Sequence, residues 1–153
     1  MDKEQILVND FRIGLILYAC AVVAFVAVLV IMVIYGVKIL KDGGLDNHIK
    51  KVVFICFFCL VIVGLIFLSI KLSLYIKDFN AVKERDFCVF TGEVIGYTYI
   101  KEGNSPQDPI LGRPIFQNQK NGEKIVLSVG PTGLNKIYTV MYLENTKLAV
   151  IIE

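Results

Sequence analysis

Apolar residues are gathered into blocks along the chain. No residue from Ile13 to Tyr35 carries a charge. A helix over that run would span about 35 Å, enough for a hydrocarbon core roughly 30 Å thick. A second uncharged run covers Val52 to Ile70. Apolar character resumes past Lys71 through Leu72, Leu74, Tyr75 and Ile76. Lys71 can lay its stem on the apolar surface and carry its ammonium to the headgroups. Both runs are apolar on every side, unlike the one-sided stripe of a helix on a soluble domain. The pattern predicts transmembrane helices at 13–35 and 52–76, an N-terminal tail at 1–12 and a connecting loop at 36–51.

The first run does not read as a cleaved secretory signal. It follows a mixed-charge start (Asp2, Lys3, Glu4, Asp10, Arg12), and no small-residue cleavage pattern stands near Ile34, Tyr35 and Val37. Gly43-Gly44 and Asp46-Asn47 are turn residues, so the helices should form an antiparallel hairpin with both termini on one side of the membrane. Tyr35 and Tyr75 fall where aromatic rings favour the interface. Ala19, Cys20, Ala21, Ala24 and Ala27 let another helix approach closely, either the second helix of the chain or a partner's.

The pattern changes after Lys71. Residues 77–87 mix charged and apolar positions and read as a helical stalk. From Phe87 onward Gly, Tyr, Thr, Val and Ile dominate, which suits strands. Val89 to Ile100 is the first strand-like run, with Gly92 and Gly96 marking bulges or bends. Lys101 to Arg113 reads as a long loop. Pro114 to Gln119 and Glu123 to Val129 flank Asn121-Gly122, a strong hairpin signal. Lys136 to Leu143 and Lys147 to Ile152 form a final pair. In the former, Ile137, Thr139, Met141 and Leu143 share one face, with Tyr138, Val140 and Tyr142 on the other. Residues 88–153 thus form a small β domain. The expected fold class is an α+β membrane protein, a two-helix transmembrane hairpin followed by an antiparallel β barrel of SH3- or OB-like size.

Composition sharpens this picture. Hydrophobic residues make up 56% and charged residues 20% of the 153-residue chain, shifted from soluble averages toward a membrane protein. The net charge is +2, and the β domain balances its basic and acidic residues, which disfavours nucleic acid as a partner. Lys38, Lys41, Lys50 and Lys51 outnumber Lys3 and Arg12 across the first helix. Across the second helix Lys71, Lys77, Lys83 and Arg85 match the loop's four, and the two outer flanks together outnumber the loop, which points the other way. The first helix usually dominates, so the expected orientation has the connecting loop in the cytoplasm and the β domain outside.

Candidate chemistry adds little. Neither apolar run contains an ionisable residue of the kind that lines proton or ion pathways. Cys56-Phe57-Phe58-Cys59 has the spacing of a redox or zinc motif, but no His or carboxylate stands beside it in the apolar run. Cys88 is the one cysteine outside these runs, so no disulfide can form within the β domain. His48 is the sole histidine and lies in the connecting loop, remote in sequence from any nucleophile of the β domain. Asp42 to Asn47 lacks the ligand spacing of a calcium loop. Gly92 to Gly96 lies in a strand rather than between a strand and a helix, so it is no phosphate loop. The expectation is a protein without catalytic, metal-binding or cofactor-binding residues, and therefore not an enzyme.

Residues 88–152 resemble a bacterial family of membrane-anchored β domains, the domain of unknown function 3592 family. Gly92-Glu93-Val94, Pro114-Ile115-Phe116, Asn121-Gly122, Val140-Met141-Tyr142 and Ala149-Val150 carry the likeness. Leu143 to Thr146 stands where that family often has prolines. The resemblance implies a small β barrel beside transmembrane helices and no catalytic residue. The resulting functional expectation is a module in the bacterial cell membrane that acts by contact with the lipid bilayer and another protein. Its concrete form is an immunity protein against a membrane-acting or secreted toxin. The alternative is an accessory or assembly subunit of an envelope or secretion complex. Two contact surfaces are candidates, the loop Lys101 to Arg113 and an aromatic face with Tyr97, Tyr99, Tyr138 and Tyr142.

Overall fold

The computed structural model describes residues 2–41, 48–101 and 110–153. Residues 42–47, where the turn between the helices is expected, and 102–109, within the expected loop, lie outside the described residues. Two helices, α1 (Lys3–Lys41) and α2 (His48–Glu84), precede seven strands. The chain forms two compact units, one of residues 14–74 and one of Met1–Ile13 with Tyr75–Glu153.

The first unit is the helical hairpin. Among the buried and half-buried positions of α1 are Tyr18, Val22, Phe25, Leu29, Met32 and Gly36, and among those of α2 are Phe54, Phe58, Val61, Leu65, Leu68 and Leu72. Steps of three and four alternate, the 3.5-residue period of a left-handed coiled coil. Two glycines set the fit by admitting aromatic rings. A Cβ on Gly64 would lie 2.6 Å from Phe25, and one on Gly36 would lie 3.1 Å from Phe54. These pairs also show that the helices run antiparallel. The faces turned outward stay apolar, with Val23 69% and Leu60 68% exposed. Both helices are long and apolar enough to cross a membrane.

The second unit begins with the first turns of α1. Residues 3–12, expected as a tail, are helical because Asp2 caps them. Its carboxylate accepts from the Glu4 amide at 3.3 Å. Leu7, Val8 and Phe11 then lie on one face and are buried, and the Phe11 ring packs 5.3 Å from that of Tyr75. The stalk is the end of α2, which stops where Arg85 turns left-handed (φ 57°). The Asp86 amide closes that end on the Ala81 carbonyl at 2.9 Å. Arg85 also reaches Glu4 at 3.3 Å.

The β domain starts three residues later. Strands β1 (Cys88–Tyr97), β4 (Pro114–Gln117), β5 (Lys124–Val126), β6 (Ile137–Tyr142) and β7 (Ala149–Ile151) form one antiparallel sheet in the order β5-β4-β1-β6-β7. Phe90, Val94, Phe116, Leu127 and Val140 make its core. The alternation expected for β6 holds, with Val140 inward and Ile137 outward. Between Val94 and Gly96 the register slips by one residue at Ile95, the bulge that the paired glycines foreshadow. Gly92 serves close approach instead, since a Cβ there would lie 2.8 Å from the Gln117 carbonyl oxygen.

Three expectations change in detail. Asn121-Gly122 does sit in the β4–β5 connection, but the connection spans residues 118–123 rather than a two-residue turn. The Asn118 side chain accepts from the Lys120 amide, and Gly122 takes the left-handed conformation (φ 71°). The segment 101–113 is not wholly loop, because β2 (Ile100–Lys101) pairs with β3 (Ile110–Leu111). Finally, the ladder is not closed. Among the described residues, Ser128, just past edge strand β5, and Leu148, just before edge strand β7, form an isolated parallel bridge.

Candidate functional site

Asp78 is the buried charged residue of the described chain, 1% exposed near the end of α2. Its Oδ1 accepts from the Asn145 amide at 3.0 Å and from the Asn145 side chain at 2.7 Å. Its Oδ2 accepts from the Thr146 amide and hydroxyl, both at 2.7 Å. Four donors from one β6–β7 turn therefore solvate a carboxylate removed from water. Charge-assisted hydrogen bonds of this kind are short and strong, and they offset the cost of burying the charge. The arrangement positions the sheet on α2 and leaves no lone pair aimed at a ligand. Asp78 thus ties the β6–β7 turn to α2.

The tyrosines divide in the same way. The Tyr97 hydroxyl donates to the Thr132 carbonyl at 2.7 Å, and the Gly133 amide donates to the Tyr138 hydroxyl at 2.9 Å. Both tie the Gly130–Gly133 segment to the sheet. The Tyr138 ring also meets Phe116 edge-on at 6.5 Å between centroids. Tyr142 packs against the core beside Lys147, whose ammonium lies 5.5 Å from the ring centre. Burial pushes the Tyr142 hydroxyl above its ordinary range, and the facing Cys88 adds to the shift, so it stays protonated and supplies no base. Tyr99, 58% exposed, is the member of the expected aromatic face that is available for contact.

Among the described residues, the β domain carries two open concavities of note. One, about 370 Å³, is lined by Tyr97, Gly112, Pro114, Val129, Pro131 and Thr132. The other, about 300 Å³, is lined by Thr91, Gly92, Asn118, Gln119, Lys120 and Ile137. This second groove adjoins the outer face of β1 and β6, where Thr91 and Thr139 share a cross-strand hydrogen bond at 3.2 Å. Val89 and Ile137 stand exposed on the same face, and the Gln119 amide donates to Glu93 at 2.9 Å. The surface mixes hydroxyls, amides, one carboxylate, one ammonium and two apolar side chains. Such a mixture suits contact with another protein. Sequence reasoning missed it because its members come from β1, the 118–123 turn and β6. The outward alternation of Val89, Thr91 and Glu93 was the available signal.

Among the described residues, no group of three or more His, Cys, Asp or Glu side chains is placed to hold a metal ion. Cys56 and Cys59 lie exposed on the hairpin as free thiols. The side chain of His48 and the loop tip 102–109 fall outside the described residues. No protein-family model, no curated protein sequence and no solved structure matches this chain.

Proposed function

We propose that the chain is a non-catalytic module anchored in the bacterial cell membrane that acts by binding another protein. Its most concrete form is an immunity protein that protects its producer from a membrane-acting or secreted toxin. The observation that carries this reading is the pairing of two all-round apolar helices with a β domain fixed to the end of α2 through Asp78. A β domain tied to the end of a helix that continues from the apolar hairpin suits presentation of a binding surface by a membrane anchor. The outer face of β1 and β6, with Val89, Thr91, Ile137 and the neighbouring groove, is that surface. The bias of Lys and Arg across the first helix supports placing it outside the cell.

The barrel expectation and the likeness to the domain of unknown function 3592 family belong to the same proposal. The Ile95 bulge and the Ser128–Leu148 bridge support curling of the sheet toward closure. The Gly92-Glu93-Val94 and Val140-Met141-Tyr142 segments fall on β1 and β6, the paired centre of the sheet.

A second reading, an accessory subunit of an envelope or secretion complex, is favoured by one feature. Cys20, Ala24 and Ala27 face away from α2 and stay exposed on α1, so a partner helix could approach there. The test is to challenge producer cells, with and without the gene, using each toxin encoded beside it. Killing confined to the deletion strain supports immunity. Equal survival against every toxin, with copurification of larger membrane subunits, moves the assignment to the accessory role.

A further inference from the structure

We infer that α2 controls the seam of the β domain: the Asp78 clamp on the β6–β7 turn also holds β5 and β7 together. The turn is a closed loop. The Leu143 amide donates to the Leu148 carbonyl at 2.9 Å, and the Lys147 amide donates to the Leu143 carbonyl at 3.0 Å. Lys147 is held in the left-handed region, φ 58°, a conformation that a side chain with a Cβ resists. On one side of Lys147, Asn145 and Thr146 give all four of their donors to Asp78. On the other side lies the seam. The Ser128 amide donates to the Lys147 carbonyl at 2.7 Å, and the Ala149 amide donates to the Ser128 carbonyl at 2.9 Å. Among the described residues these two bonds join the edges of an otherwise open sheet.

The same short segment therefore carries both attachments. The Thr146 amide that bonds Asp78 and the Lys147 carbonyl that bonds Ser128 are separated by a single peptide unit, the one between Thr146 and Lys147. When Asp78 lets go, Lys147 keeps the bond from its amide to the Leu143 carbonyl but loses the restraint that Asn145 and Thr146 place on its left-handed conformation. Its relaxation swings the Lys147 carbonyl and the Ala149 amide away from Ser128. Ser128 leads directly into Val129, Pro131 and Thr132, which line one wall of the 370 Å³ groove. A rotation of α2 at Asp78 is thus converted into opening of that groove. By reciprocity, an occupant that wedges the groove open weakens the clamp on α2. The device stands whichever partner the module binds.

Hydrogen exchange on the full chain in lipid nanodiscs reads it directly. The Asp78→Asn variant should speed exchange at Asn145 and Thr146, because it removes the charge and puts a donor amide where one of the two acceptor oxygens stood. It should also speed exchange at Ser128 and Ala149 by about tenfold or more, the loss expected when a buried hydrogen bond opens. The Val94 amide, bonded to the Lys136 carbonyl, reports the intact core and should not change. Faster exchange at Asn145 and Thr146 with wild-type protection at Ser128 and Ala149 overturns the inference. If Asp78→Asn also loosens Val94, Thr146→Val removes a single bond from the clamp. It should move the same seam amides in the same direction by a smaller factor, and no movement overturns the inference. In the reverse direction, Ser128→Pro deletes the seam donor and should speed exchange at Asn145 and Thr146. Unchanged protection there contradicts the coupling.

Discussion

The hairpin and the β domain bury apolar side chains by opposite rules. In the hairpin a narrow seam of Phe25, Met32, Phe54 and Val61 packs inward while Val23 and Leu60 remain on the surface. In the β domain Val94, Phe116, Leu127 and Val140 are wholly enclosed, and the outer face mixes polar side chains with exposed Val89 and Ile137. A hairpin of that kind is a liability in water and a necessity in lipid, which offers no hydrophobic penalty to an exposed valine. The β domain must supply its own interior. The difference teaches that the two parts should respond to the same substitution on different scales.

The largest effect is expected at the centre of the β domain. Phe116→Ala should cost about 3–5 kcal/mol by cavity formation and lost burial, unfolding the sheet while the helices stay membrane-bound. Loss of dispersed amide resonances from residues 88–153, with helical circular dichroism retained, is the expected readout. Next comes Asp78→Ala, which leaves four donors without their acceptor. It should cost about 3 kcal/mol, seen as a lower denaturation midpoint for the β domain and protease cleavage near residues 85–87. Gly64→Leu drives a side chain into the space held by Phe25 and should loosen the hairpin by about 1–3 kcal/mol. A disulfide cross-link engineered between facing positions of α1 and α2 should then form less efficiently. One pair of substitutions sets the two regions side by side and includes the smallest effect. Val94→Ala should cost about 2–3 kcal/mol, whereas Val23→Ala should stay within about 0.5 kcal/mol, because its side chain meets only the surroundings. Comparable losses at both positions would break the comparison.

The hairpin was legible in the sequence because lipid imposes its rule on composition alone. The absence of charge from Ile13 to Tyr35 needed no knowledge of contacts. The strands were also legible, since alternation at Tyr138, Val140 and Tyr142 and the Asn121-Gly122 signal are local. What escaped were features that depend on distant partners. Leu7 and Phe11 were assigned to a tail, although their i, i+4 spacing already described one helical face. Asp78 stood among the charged residues of the stalk, and nothing nearby marks it as the one that meets Asn145 and Thr146. Tyr97 and Tyr138 looked like a contact surface until their hydroxyls were found spent on Thr132 and Gly133. Side chains that answer long-range backbone groups leave no periodic trace.

The central claim is that a membrane hairpin presents this β domain outside the cell. A single cysteine at exposed Thr91, in a chain with Cys20, Cys56, Cys59 and Cys88 replaced by alanine, tests it most directly. The account predicts labelling by a membrane-impermeant maleimide in intact cells, at the level reached after lysis. Labelling only after lysis would contradict it and place the β domain, with its outer face and groove, in the cytoplasm.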